Sequence, residues 1–113
     1  MLVLNRFDVQ PETLDDFVAQ AHAALAALAA CRGYLSGRLA RALEDPTRWT
    51  LVTDWESVGA YRRALGAFEV KVNATPLLAR SLDEPSAFEI LASAEPGSAV
   101  VETASDRATE PWR

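Results

Sequence analysis

Apolar and polar positions alternate with two different periods along this chain, and the change of period marks its elements. Residues 2–9 (LVLNRFDV) are rich in apolar, β-branched and aromatic side chains and predict a first strand. Pro11, Thr13 and the acids Asp15 and Asp16 then signal a helix start, acids being favourable at the positive end of the helix dipole. Leu14, Phe17, Val18, Ala21, Leu25 and Leu28 fall on one face of a helix spanning roughly 13–31. Eight alanines between 19 and 30 raise its propensity, and Gly33 is the expected stop. Residues 34–43 predict a second strand, a short hairpin follows at Glu44-Asp45-Pro46, and 48–55 (RWTLVTDW) predict a third strand. Ser57 is placed to cap a second helix, whose apolar stripe reads Val58, Tyr61, Leu65, Phe68 and Val72. Gly66 marks a weak point within that helix, and Pro76 ends it or restarts a short one. Ser86–Ala92 (SAFEILA) predict a fourth strand.

The order is therefore βαββαβ over residues 1–92. This is an α+β arrangement: a four-stranded antiparallel sheet with two helices on one face. Residues 93–113 are dominated by Ser, Thr, Ala, Glu and Pro. They bury too little apolar surface to offset their ordering entropy, which predicts a flexible acidic tail, or an arm that packs on a partner.

Composition narrows the function. With 11 basic against 16 acidic residues the net charge is −5, which argues against nucleic-acid and anionic-membrane partners. One cysteine, Cys31, forbids an intrachain disulfide framework, and one histidine, His22, excludes a His-rich metal site. Cys31 is expected to be buried and structural, and His22 to lie at the boundary of the first helix's apolar stripe. No apolar run is long enough to cross a membrane and no signal peptide is evident, so a cytoplasmic protein is expected.

The strands carry large apolar groups on both faces. Val3, Asn5, Phe7 and Val9 oppose Leu2, Leu4, Arg6 and Asp8. Trp49, Leu51, Thr53 and Trp55 oppose Arg48, Thr50, Val52 and Asp54. Helices cover only one face, so the other is expected to meet the same face of a second copy, giving a homodimer.

The βαββαβ order, the start LNRFDV, the stretch GYLSGRLAR and above all TLVTDWESVGAYRRAL resemble the antibiotic biosynthesis monooxygenase domain of the dimeric α+β barrel superfamily. The most specific piece is Trp55-Glu56-Ser57 followed by Ala60-Tyr61. The resemblance implies ferredoxin-like subunits whose sheets pack face to face into a dimeric barrel, and a pocket between sheet and helices within each subunit. It further implies a cofactor-independent monooxygenase acting on a small electron-rich aromatic or quinol-type substrate. The alternative is a non-catalytic small-molecule-binding or stress-type protein of the same superfamily.

The resemblance also nominates residues. Family members that oxidise polyketide anthrones without metal or flavin line the pocket with a Trp and a Tyr, which match Trp55 and Tyr61 here. They carry an Asn where this chain has Leu51, and an Arg further along the second helix, where the nearest residues are Lys71 and Asn73, close to Phe68. Haem-degrading relatives carry an Asn that matches Asn5. Their Trp and His fall at Ala64 and near Val72, so haem is not expected. The candidate substrate-binding set is thus Asn5, Trp55, Tyr61, Phe68, Lys71 and Asn73, with no metal and no cofactor.

Overall fold

The computed structural model describes residues 1–105. Strand β1 (Leu2–Asp8) leads through a 3-10 turn (Pro11–Thr13) into α1 (Leu14–Ala29). Strands β2 (Tyr34–Arg41) and β3 (Arg48–Trp55) form a hairpin, followed by α2 (Val58–Leu65), α3 (Phe68–Asn73) and α4 (Thr75–Leu78). Three two-residue strands close the described chain: β4 (Ala87–Phe88), β5 (Ala92–Ser93) and β6 (Val101–Glu102). The main sheet runs β2-β3-β1-β4 and every neighbouring pair in it is antiparallel. This is the expected ferredoxin-like topology, with β3 and β1 at the centre.

The register sets which side chains share a face. Leu2 lies opposite Asp54, Asn5 opposite Leu51, and Phe7 opposite Trp49. Burial then alternates along β1: Val3, Asn5 and Phe7 are buried beneath the helices, while Leu2, Leu4 and Arg6 stay partly exposed. Helix α1 lays Phe17, Ala21, Ala24 and Leu28 on this face, three and four residues apart. Its alanines let the helix approach the sheet closely, and Phe17 meets both Phe7 and Trp49 with ring centroids 5.2 and 5.6 Å away.

The second helical region departs from the expected single stripe. It breaks at Gly66 and Ala67, where Ala67 takes an extended conformation (ψ 141°). The break rotates the following turns, so Val70, Ala74 and Leu77 face the core. Phe68 and Val72, expected on the buried stripe, are instead 74% and 53% exposed. The buried face of α2 consists of Ala60 and Ala64, with Tyr61 and Leu65 at its margin.

The fourth strand is also shorter than expected. Only Ala87 and Phe88 pair with β1. Ala92 and Ser93 instead pair with Glu102 and Val101 in a separate small hairpin. Residues 106–113, the last part of the predicted tail and the site of Trp112, lie outside the described residues. Cys31, expected to be buried, is only half-buried, with its thiol donating to the Ala27 carbonyl at 3.5 Å. Among the described residues no helix is long and apolar enough to cross a membrane.

Candidate functional site

The end of β3 is pinned from two sides. The Trp55 amide donates to the Met1 carbonyl at 2.8 Å, and the Met1 ammonium donates to the Trp55 carbonyl at 3.0 Å. The Glu56 amide donates to the Gly33 carbonyl at 2.8 Å. Gly33 holds a left-handed φ of +89°, and a β-carbon there would stand 2.5 Å from that of Ala60. Glycine therefore lets the start of β2 lie directly against α2. Ser57 caps α2 as expected, its hydroxyl accepting from the Ala60 amide at 3.0 Å. Strand end, cap and first helical turn thus fix the relation between Trp55 and Tyr61.

Trp55 is fully buried, and its indole N–H donates to the Thr53 hydroxyl at 2.8 Å. The Tyr34 ring meets it edge-on, at 5.4 Å and 87°, and the Tyr61 ring leans on it at 5.4 Å and 56°. Tyr61 lines a shallow, solvent-open cavity of about 370 Å³ with Leu65, Thr75, Leu78 and Ala79. Removal from water pushes the Tyr61 phenol above its ordinary pKa, because burial disfavours the phenolate. The group therefore remains a neutral O–H donor across the physiological range. Among the described residues its hydroxyl has no hydrogen-bond partner.

Asn5 sits mid-strand on the helix-covered face with Val3 and Phe7 on either side. It is 8% exposed, and its amide makes no hydrogen bond among the described residues. Its amide atoms are nevertheless not fully sealed from accessible space. A buried primary amide ordinarily finds partners, so this one is open to a water or a ligand atom. It stands directly opposite Leu51, four residues up β3 from Trp55. At about 3.3 Å per residue the two are roughly 13 Å apart along the strand. Asn5 is not among the residues lining the Tyr61 cavity.

The remaining candidates do not join this group. Phe68 is exposed, as is Lys71. Asn73 donates to Glu69 at 3.0 Å and lines a different cleft with Gln20, Val72, Leu77 and Arg80. The break at Gly66–Ala67 explains the separation, since it turns α3 away from the line of α2. Conversely, Thr53 and Tyr34 belong to the Trp55 cluster and were not candidates. For Thr53 the signal was present, because residues two apart on a strand share a face. His22 is exposed on α1. Among the described residues no group of three or more His, Cys, Asp or Glu side chains could hold a metal ion.

A model of the antibiotic biosynthesis monooxygenase family matches residues 1–72. No curated protein matches the chain. Among solved structures, the fold is similar to SnoaB, a cofactor-independent oxygenase from Streptomyces nogalater. The two share 20% identity over 95% of this chain and 93% of that one, with a TM-score of 0.63. It is also similar to Rv0793 from Mycobacterium tuberculosis, at 18% identity over 95% and 97% of the two chains and a TM-score of 0.61. A conserved protein from Methanosarcina mazei shares 21% identity over 76% and 84%, with a TM-score of 0.63.

Proposed function

This chain belongs to the antibiotic biosynthesis monooxygenase family, and from that premise we propose a monooxygenase that oxidises a small electron-rich aromatic or quinol-type substrate without a bound metal or flavin. The observation that carries the reading is Asn5: a nearly buried amide, without a hydrogen-bond partner among the described residues, beneath the helices. Such an amide suits a phenolic or carbonyl oxygen of a ligand. The neutral Tyr61 phenol supplies a second donor, and Trp55 backs it as an apolar wall. Leu51 departs from the Asn that the resemblance implies, and Asn5 offers an amide directly across the ladder from it.

In this reading the substrate provides all four electrons that reduce O₂. An activated aryl methylene loses a proton, and the resulting anion reduces O₂. One oxygen atom becomes the carbonyl of the product and the other leaves as water, so R₂CH₂ and O₂ give R₂C=O and H₂O. The protein's share is to bind the flat substrate, exclude water and stabilise the anion through the O–H of Tyr61, the Asn5 amide being open to a ligand atom at its own place on β1.

A second reading, a non-catalytic small-molecule-binding protein, is favoured by one feature. Trp55 is sealed, and Asn5 is not among the residues lining the cavity beside Tyr61. Oxygen uptake on a panel of anthrones and hydroquinones distinguishes the two. Stoichiometric O₂ consumption that depends on Tyr61 supports the monooxygenase, whereas saturable binding of the same compounds without O₂ consumption supports the binder.

We further propose that the chain works as a homodimer joined through the uncovered sheet face. Leu2, Leu4, Val52 and Phe88 support this, as they leave an apolar stripe there.

A further inference from the structure

We infer that Thr53 is a positioning residue that sets the orientation of the Trp55 ring and, through it, the reach of the Tyr61 phenol into its cavity; the inference rests on the proposed role of Tyr61 in substrate binding. Trp55 is fully buried, so no solvent is available to its indole N–H, a group that can only donate. The Thr53 hydroxyl, 2.8 Å away, accepts it. Thr53 is itself 2% exposed, and its branched β-carbon leaves few rotamers. Its methyl group points toward Gly37, on the adjacent strand, lying 3.2 Å from where a β-carbon of Gly37 would stand. The hydroxyl is thereby held away from Gly37.

Gly37 completes the arrangement by having no side chain. The Tyr34 hydroxyl and a Leu25 methyl fill the space that its β-carbon would take. Tyr34 can therefore lie across β2 with its ring edge-on to the indole. The indole is fixed at its nitrogen by Thr53 and flanked by Tyr34, and Tyr61 rests against it at 5.4 Å. With no hydrogen-bond partner for its hydroxyl among the described residues, Tyr61 takes its orientation from packing, in which the Trp55 indole is its aromatic contact. A turn of the indole is then passed on to the phenol.

Thr53→Val tests this in the full chain, because valine keeps the shape and removes only the acceptor. The Trp55 indole resonance, identified by its loss in Trp55→Phe, is expected to shift, and its proton is expected to exchange with solvent about tenfold faster, the scale of one lost hydrogen bond. The Tyr61 ring resonances are expected to move with it. For a substrate that the wild-type protein turns over, KM is expected to rise about five- to tenfold with little change in kcat, since what is lost is orientation at the level of one hydrogen bond. Thr53→Ser is expected to restore both, and if Thr53→Val does not fold, Thr53→Cys, a weaker acceptor of similar size, is expected to give the same changes at smaller amplitude. An indole resonance and exchange rate unchanged from wild type would overturn the inference, as would a shifted indole with unmoved Tyr61 resonances or an unchanged KM. If the wild-type protein consumes no oxygen, the monooxygenase reading fails on its own, and the Trp55 and Tyr61 resonances still decide the role of Thr53.

Discussion

Beneath the helices, Val3, Phe7, Leu51 and Trp55 are at most 3% exposed. On the opposite face of the same strands, Leu2, Leu4 and Val52 stay half-exposed, and Phe88 is 39% exposed. Both faces carry apolar side chains, but only one is covered within the chain. The covered face is continuous, running from Phe7 and Phe17 through Leu51 to Trp55, and it contains Asn5 and Thr53, the two buried polar residues among those described. Thr53 is matched by the indole of Trp55, and Asn5 has no partner among the described residues. The open face mixes apolar with charged positions, among them Arg6, which pairs with Glu84 at 3.3 Å, and Asp54 opposite Leu2. That mixture suits a surface that meets another protein surface, where a polar rim surrounds an apolar centre. The covered face holds the stability and the candidate chemistry, and the open face is the one proposed to meet a second copy.

The largest effect that separates the two faces is truncation of a covered ring. Trp55→Ala is expected to destabilise the chain by about 3–5 kcal/mol in urea titrations, whereas Val52→Ala on the open face is expected to cost about 1 kcal/mol or less in the separated chain. Equal costs would erase the distinction. On the open face, Leu4→Arg is expected to convert a dimer into single chains in sedimentation while far-ultraviolet circular dichroism is retained. A stable interface there should bury on the order of 2,000 Å² in total. Sedimentation of the wild-type protein as a 12.3 kDa species at micromolar concentration would remove the proposed role of that face.

Smaller effects test the polar groups of the covered face. Asn5→Leu replaces an unpartnered amide with an apolar group of similar size. It is expected to leave stability unchanged or raise it by about 1 kcal/mol, while aromatic ligand binding weakens tenfold or more. A large loss of stability would mean that Asn5 is a structural hydrogen-bonder. Tyr61→Phe is expected to change stability by less than about 1 kcal/mol near neutral pH and to lower turnover. Its pH dependence follows from the raised Tyr61 pKa. The folded state holds the phenolic proton more tightly than the unfolded chain, whose tyrosines titrate near 10.0. The stabilisation tied to the neutral phenol is therefore complete below pH 10 and lost as pH rises through the higher folded value. Urea midpoints should fall there in the wild-type protein and fall less steeply in Tyr61→Phe. The smallest effect is expected at the end of the described chain. A chain ending at Ser93 should melt within a few degrees of the full one, since β5 and β6 are exposed two-residue strands.

Much of this architecture was already present in the amino-acid sequence. The period-two alternation of 2–9 and 48–55 and the period-3.6 face of α1 dictate which residues are covered, because strand and helix geometry project side chains at fixed intervals. Ser57 announced the start of α2, and Gly33, expected to end α1, instead turns the chain into β2 after α1 has closed at Ala29. The Trp55–Tyr61 pair was legible for the same reason, since strand end, cap and helix start are local in sequence. Tertiary structure alone decided the rest. The break at Gly66–Ala67 removed Phe68 and Val72 from the buried stripe and separated Asn73 from Tyr61, because one extended residue resets the phase of every turn after it. Long-range pairing set Asn5 opposite Leu51, and packing left its amide without a partner. The service of Thr53 to Trp55 needed both, since an acceptor two residues away is binding only once helices and rings have excluded the water that would otherwise take the indole proton.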